Sequence, residues 1–284
     1  MAAGTLYLVA TPIGNLGDVT FRAIEVLRAV PLIAAEDTRI TRRLLTRYEI
    51  ATRLTSYHAQ SGAGREAALL DHLRGGADLA LVADAGTPTV SDPGMELAAA
   101  WAAEGGRVEA IPGASAVLAA VAASGIAGPR WAFEGFLPRS GRERRERLAR
   151  LAADERGAVI FEAPGRLRAT LADLAAACGP ERPAAVCREL TKLHEQVVRG
   201  SLEALVAAAV DGTIPARGEA VIVVGWRSGA SAEPLAEEAD AEARAVAEVE
   251  ALVAGGMGRS DAARQVAAAT GIPRRRLYRV EGSR

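Results

Sequence analysis

Leu79-Ala80-Leu81-Val82-Ala83 runs directly into Asp84-Ala85-Gly86-Thr87-Pro88-Thr89-Val90-Ser91-Asp92-Pro93-Gly94. Five apolar residues without polar alternation predict a strand buried on both faces. The eleven residues after it hold two prolines, two glycines, two aspartates and three hydroxyls. A plain strand-to-helix connection needs roughly two to six residues, so this loop is built for more than turning the chain. Met95–Ala103 then reads as a helix and Val108–Ile111 as a second strand. Strand, long polar loop, helix and strand make a unit of a mainly parallel α/β sheet, whose ligands bind beyond the carboxyl ends of the strands.

The same alternation extends in both directions. Upstream, Leu6–Ala10 and Leu32–Ala35 read as strands, and Phe21–Ala29 and Thr38–Tyr48 as helices. Downstream, Trp131–Phe136, Val159–Phe161, Ala185–Cys187 and Ala220–Val224 read as strands. Helices fall at Ala114–Ala123, Arg144–Ala152, Leu167–Ala177 and Leu202–Ala209. This predicts two α/β domains, over 1–112 and 113–227. Arg227 to Ala236 reads as a linker. The remaining chain to residue 284 reads as a small helical domain: an acidic helix over Glu237–Val253, a short helix capped by Ser260, a turn at Thr270-Gly271 and a last helix opened by Pro273. Helix, glycine turn and helix with arginines resemble a helix-turn-helix.

Composition narrows the classes. The 284 residues are 50% apolar and carry a formal net charge of −1, which excludes a disordered chain. Cys178 and Cys187 are too few for a disulfide framework or a cysteine zinc site, and no His/Cys/Asp set has metal spacing. Neither a signal peptide nor a membrane span is expected, so the expected compartment is the cytoplasm.

Charge is unevenly placed despite the neutral sum. One cluster holds Arg39, Arg42, Arg43, Arg47 and Arg53, with Arg39, Arg43 and Arg47 on one helical stripe. A second holds Arg139, Arg142, Arg144, Arg145, Arg147 and Arg150, and a third Arg274, Arg275, Arg276 and Arg279. Arginine forks suit phosphate oxygens, so Arg39, Arg43, Arg47, Arg142, Arg144, Arg145 and Arg274–Arg276 are the candidate contacts to a phosphate-rich partner. Of 34 basic residues only Lys192 is a lysine. A lysine can lose its proton when buried and an arginine cannot, which makes Lys192 a candidate base.

Two further loops are rich in small residues: Thr11-Pro12-Ile13-Gly14-Asn15-Leu16-Gly17-Asp18 and Ile111-Pro112-Gly113-Ala114-Ser115-Ala116. Together with the loop from Asp84 to Gly94, they resemble the ribosomal RNA small subunit methyltransferase I family, a branch of the tetrapyrrole methylases. Glu36-Asp37-Thr38-Arg39, Gly135–Pro138, Phe161–Pro164 and Glu189–Lys192 carry the resemblance along nearly the whole chain. It implies the tetrapyrrole methylase arrangement, with S-adenosylmethionine in the cleft between the two α/β domains. It also implies a homodimer and 2′-O-methylation of a cytidine (1402) in 16S rRNA of the small ribosomal subunit. Carried onto this chain, the cofactor residues are Pro12, Asp84, Gly86, Thr87, Val90, Ser91, Ser115, Ala116, Phe161, Glu162 and Ala163. Glu36, Asp37 and Lys192 are the catalytic candidates, with Asp84 and His58 also placed to be weighed as bases. No metal is expected. A tetrapyrrole methyltransferase and a catalytically silent RNA-binding assembly factor are the alternatives.

Overall fold

A computed structural model of the chain describes residues 3–227, 244–270, 272–274 and 277. The chain divides into two compact units, 1–226 and 227–284.

The larger unit holds two five-stranded sheets. The first contains β1 (Thr5–Val9), β2 (Leu32–Ala35), β3 (Arg53–Ser56), β4 (Leu79–Val82) and β5 (Arg107–Ile111), in the order β3-β2-β4-β1-β5. All its pairings are parallel; Leu6, for example, faces Leu79 on one side and Val108 on the other. Helices α1 (Phe21–Ala29), α2 (Thr38–Arg47), α3 (Ala63–Arg74) and α4 (Met95–Ala103) are the crossovers. Every residue of β4 is buried, as its unbroken apolar run requires. One face of the sheet packs Val9, Ile33, Ala80 and Val82 against Leu27 and Leu44. The other packs Leu6, Leu79 and Leu81 against Leu73, Leu97 and Trp101.

After α5 (Ala116–Ser124) the second sheet contains β6 (Trp131–Phe136), β7 (Gly157–Glu162), β8 (Pro183–Arg188), β9 (Gln196–Ser201) and β10 (Ala220–Val224), in the order β6-β7-β10-β8-β9. Only β6 and β7 pair in parallel; β10 runs antiparallel to β7 and β8, and β8 to β9. Helices α6 (Gly141–Ala153), α7 (Leu167–Cys178) and α8 (Leu202–Val210) cover one face. The other face packs Val159, Cys187 and Val221 against Val117 and Ala120 of α5, with Ile13 reaching in from the first half.

Three elements escaped the sequence reading. Strands β3 and β9 are edge strands with partly exposed, polar-rich faces, and α3 lacks a clean apolar stripe. The helix at 116–124 starts two residues later than expected because Ser115 is its N-cap, accepting the Leu118 N–H.

In the smaller unit, a helix covers 244–254 and a second covers Arg259–Thr270. Ala245, Val249, Ala262, Ala263, Val266 and Leu277 are its buried core. Ser260 lies within the second helix rather than capping it. Most of the expected linker, the start of the acidic helix and the Gly271 turn lie outside the described residues. No helix among the described residues is long and apolar enough to cross a membrane.

Candidate active site

The site begins where β1 and β4 end. Thr11 and Gly86 clasp each other as an isolated bridge, Thr11 N to Gly86 O at 2.8 Å and Gly86 N to Thr11 O at 3.0 Å. Thr11 Oγ1 also donates to Ala83 O at 3.1 Å. Gly86 needs its left-handed φ of +83° to make this turn. Beyond it, Thr89 and Ser91 also sit in the left-handed region, at φ +74° and +68°. A β-branched residue there is strained, and such strain concentrates at functional sites.

This loop forms one wall of a cavity of about 340 Å³, within the range of small-molecule sites. The first half contributes Ile13, Gly86, Thr87, Val90, Ser91 and Asp92. Ser115, Ala116 and Val117 bring the amino end of α5, where backbone N–H groups have no helical partner. The opposite wall is Phe136, Phe161, Glu162, Ala163, Pro164 and Val221, with Cys187 and Leu190 beside them. Phe161 is packed edge-on by Phe133 and Phe136, at 4.9 and 5.6 Å between centroids.

Glu162 is fully buried and held on all sides. It accepts from Ala163 N at 2.8 Å and Thr170 Oγ1 at 2.5 Å, and pairs with Arg166 at 3.1 Å. A buried carboxylate survives only with such partners. Its work is to fix the backbone of Ala163 against the cavity.

Nine of the eleven residues expected to hold a cofactor line this one cavity: Gly86, Thr87, Val90, Ser91, Ser115, Ala116, Phe161, Glu162 and Ala163. Pro12 and Asp84 do not line it. The Asp84 carboxylate instead accepts the Asp37 N–H at 2.8 Å, tying β4 to the start of α2. Asp92, inside the quoted loop, was not singled out from sequence.

The catalytic candidates need correction. Asp37 caps α2 and its carboxylate is gripped by the Arg39 side chain, which holds its pKa at about 2. It is therefore too weak a base at neutral pH. Lys192 Nζ lies 2.9 Å from both Glu189 and Glu219. Burial works to lower its pKa, but the two carboxylates outweigh it and raise it. Lys192 thus stays an ammonium and cannot serve as a neutral amine. Its stem crosses Gly14, where a Cβ would sit 2.5 Å from Lys192 Cγ. Flanking residues Glu189 and Thr191 both have left-handed backbones, at φ +51° and +68°. Glu36 is part-buried, and burial together with the Asp84 charge raises its pKa. Burial pushes the Cys187 thiol to about 11, which leaves it an inert wall residue.

The arginine clusters divide. On α2, Thr38, Arg39, Arg42, Arg43, Thr46 and Arg47 line an open basic groove. Arg39 is paired with Asp37, whereas Arg42 and Arg43 are exposed without an ion pair among the described residues. On α6, Arg142 pairs with Glu146 and Arg145 is exposed. Arg144 is buried, bonded to Asp173, Pro138 O and Thr170, so it braces α6 on α7 rather than facing RNA. Arg274 bonds Ser260, while Arg275 and Arg276 lie outside the described residues. No group of three His, Cys, Asp or Glu side chains among the described residues is placed to hold a metal ion.

A cavity walled by two α/β sheets and a strained glycine-proline loop has close parallels. Residues 5–206 match the Tetrapyrrole (Corrin/Porphyrin) Methylases family. Among solved structures, a cobalt precorrin-4 methyltransferase superposes with a TM-score of 0.61 at 20% identity, covering 78% of this chain and 95% of that one. Uroporphyrin-III C-methyl transferase from Thermus thermophilus, solved with S-adenosyl homocysteine, gives 0.56 at 21% identity over 78% and 97%. At that identity the likeness is one of fold.

Full-length relatives are more specific. Ribosomal RNA small subunit methyltransferase I of Synechocystis is 48% identical over 277 residues, 98% of this chain and 97% of its own length. That of Bacillus subtilis is 40% identical, over 97% and 93%. The chain belongs to the ribosomal RNA small subunit methyltransferase I family.

Proposed function

We propose that the chain transfers a methyl group from S-adenosylmethionine to the ribose 2′-oxygen of a cytidine in 16S rRNA of the small ribosomal subunit. The observation that carries the reading is near full-length similarity to rRNA methyltransferases, joined to a single cavity that gathers nine family-type cofactor positions.

The cavity fits this cofactor. Apolar walls at Ile13, Val90, Val117 and Phe161 suit an adenosine and a thioether stem. Backbone groups at Thr87 and Ala116 supply the few polar contacts that orient it, while Gly86 and Ala163, whose own backbone groups are already bonded, shape the walls. When bound, the cofactor supplies an electrophilic methyl on a sulfonium, so the reaction requires no metal and no covalent enzyme intermediate.

The protein's task is then placement. The Thr11–Gly86 bridge and the Glu162 anchor fix the two walls, so that acceptor oxygen, methyl and sulfur can be held in line. Exposed arginines of α2, together with Arg142 and Arg145, bind rRNA phosphates in this reading. The target nucleotide must be unstacked to enter the cavity, and Phe136, 55% exposed at its wall, offers a ring on which a base can stack. We read 1–112 and 113–227 as the two halves of the catalytic body and 228–284 as an appended helical domain. The working form is taken to be a cytoplasmic homodimer.

A tetrapyrrole acceptor is the second reading, since the neighbours in fold carry tetrapyrrole names. An acceptor competition separates the two. With labelled cofactor, unmethylated small subunits should take the label and uroporphyrin-type tetrapyrroles should not. The reverse pattern would overturn the proposal.

A further inference from the structure

A ribose 2′-hydroxyl needs its proton removed as it attacks, and the groups first considered for this are all otherwise engaged. Asp37 is held by Arg39, Asp84 by the Asp37 N–H, and Lys192 by two carboxylates. Glu36 does not line the cavity. His58 lies in a separate shallow hollow with Ser56, Ser61 and Arg65.

Asp92 differs from all of these. It lines the cofactor cavity, follows strained Ser91, and makes no hydrogen bond or ion pair among the described residues. Glu36 at the end of β2 and Asp84 at the end of β4 are the charged groups that act on it. Asp37 and His58 in turn act on Glu36. No Lys or Arg is among the groups that act on it. A carboxylate without a cationic partner, half-buried beside two others, is arranged to take a proton.

Resting on the reading above, we propose that Asp92, the carboxylate that lines the cofactor cavity unpaired among the described residues, is the general base of the methyl transfer. The 2′-oxygen proton passes to an Asp92 carboxylate oxygen as the oxygen–methyl bond forms. The methyl–sulfur bond breaks with its electron pair going to sulfur, which ends as a neutral thioether. Asp92 then releases the proton to water. Burial first, then the Glu36 and Asp84 charges, raise the Asp92 pKa to about 7, where a general base works near neutral pH.

The test uses the full chain in three measurements. A carboxyl ¹³C titration of cofactor-free protein should show a resonance that titrates at about pH 7, is missing in Asp92→Asn, and moves to lower pH in Glu36→Gln. Asp92→Asn should bind S-adenosyl homocysteine in calorimetry as the parent does, yet lose on the order of 10²–10⁴-fold in methylation of small subunits. Glu36→Gln should shift the acid limb of kcat/KM to lower pH, an effect that a merely structural role does not produce. If the parent labels subunits and Asp92→Asn labels them at a comparable rate, the assignment is overturned. An Asp92 resonance titrating in the ordinary carboxylate range also overturns it. Subunits left unlabelled by the parent overturn the functional reading, and the base with it, whatever the titration shows.

Discussion

Replacing Glu162 by alanine tests whether the cavity wall is held as described. The side chain is fully excluded from solvent and has three partners: Ala163 N, Thr170 Oγ1 and Arg166. Alanine leaves the Thr170 hydroxyl and the Arg166 guanidinium without their acceptor and strips the cap from Ala163 N. Removing one member of a buried pair costs roughly 3–5 kcal/mol. For a body the size of residues 1–226, each kcal/mol lowers Tm by about 2–4 °C, so a drop of about 6–20 °C is expected. Glu162→Gln keeps one carbonyl acceptor and should lose roughly half as much. Differential scanning calorimetry reads both. Because Ala163 lines the cavity, Glu162→Ala should also weaken binding of S-adenosyl homocysteine. A variant that melts with the parent and binds normally would refute the anchoring argument.

Other consequences can be checked independently. Lys192→Arg should keep most of the turnover, because an ammonium flanked by Glu189 and Glu219 acts as a cation; loss of activity together with a shifted pH profile would restore the neutral-amine role. Arg42→Ala with Arg43→Ala should flatten the dependence of log affinity for rRNA on log salt by about 1.4; an unchanged slope removes α2 from the RNA surface. Asp92→Asn should be stabilising relative to the parent, with a gain that grows between about pH 4 and about pH 7 and stays constant above. The folded pKa of Asp92 is raised to about 7, so the folded state binds the proton more tightly and the ionised carboxylate is a burden that sets in as pH rises. Melting curves should therefore favour Asp92→Asn above neutral pH and converge with the parent in acid. Equal offsets at both ends would contradict that sign. Gly86→Leu should abolish cofactor binding, since the φ of +83° strains any side chain there and a leucine would project from the cavity lining beside Ile13; unchanged calorimetric affinity would reject the site.

Much of this architecture was readable from residue pattern. Fully buried strands such as β4 announce themselves as unbroken apolar runs, and the loop from Asp84 to Gly94 is too long and too polar to be a simple turn. Edge strands β3 and β9 give no such signal, because no residue of either is fully buried. The mixed pairing of the second sheet was hidden for another reason: β10 enters between β7 and β8, a long-range choice that no local pattern records. Charge told only part of its story. Arg144 and Arg145 are neighbours in sequence, yet one side chain is buried on Asp173 and Thr170 and the other faces solvent. A helix of 3.6 residues per turn separates them, and only the packing of α6 on α7 decides which is which. From the sequence Asp84 is favoured over Asp92, and the fold reverses them: it pairs Asp84 with a backbone N–H and leaves Asp92 lining the cavity. Lys192 stood out by its rarity, but its two carboxylate partners come from positions 189 and 219, and the second is brought in only by β10.

The central claim is most directly tested by the chemical identity of the product. Small subunits from cells lacking this methylation would be incubated with the protein and methyl-labelled S-adenosylmethionine, and the 16S rRNA digested for nucleoside mass spectrometry. The account predicts label in 2′-O-methylcytidine at a single site. Label on a base, on another nucleoside, or none at all while the cofactor binds normally, would contradict it.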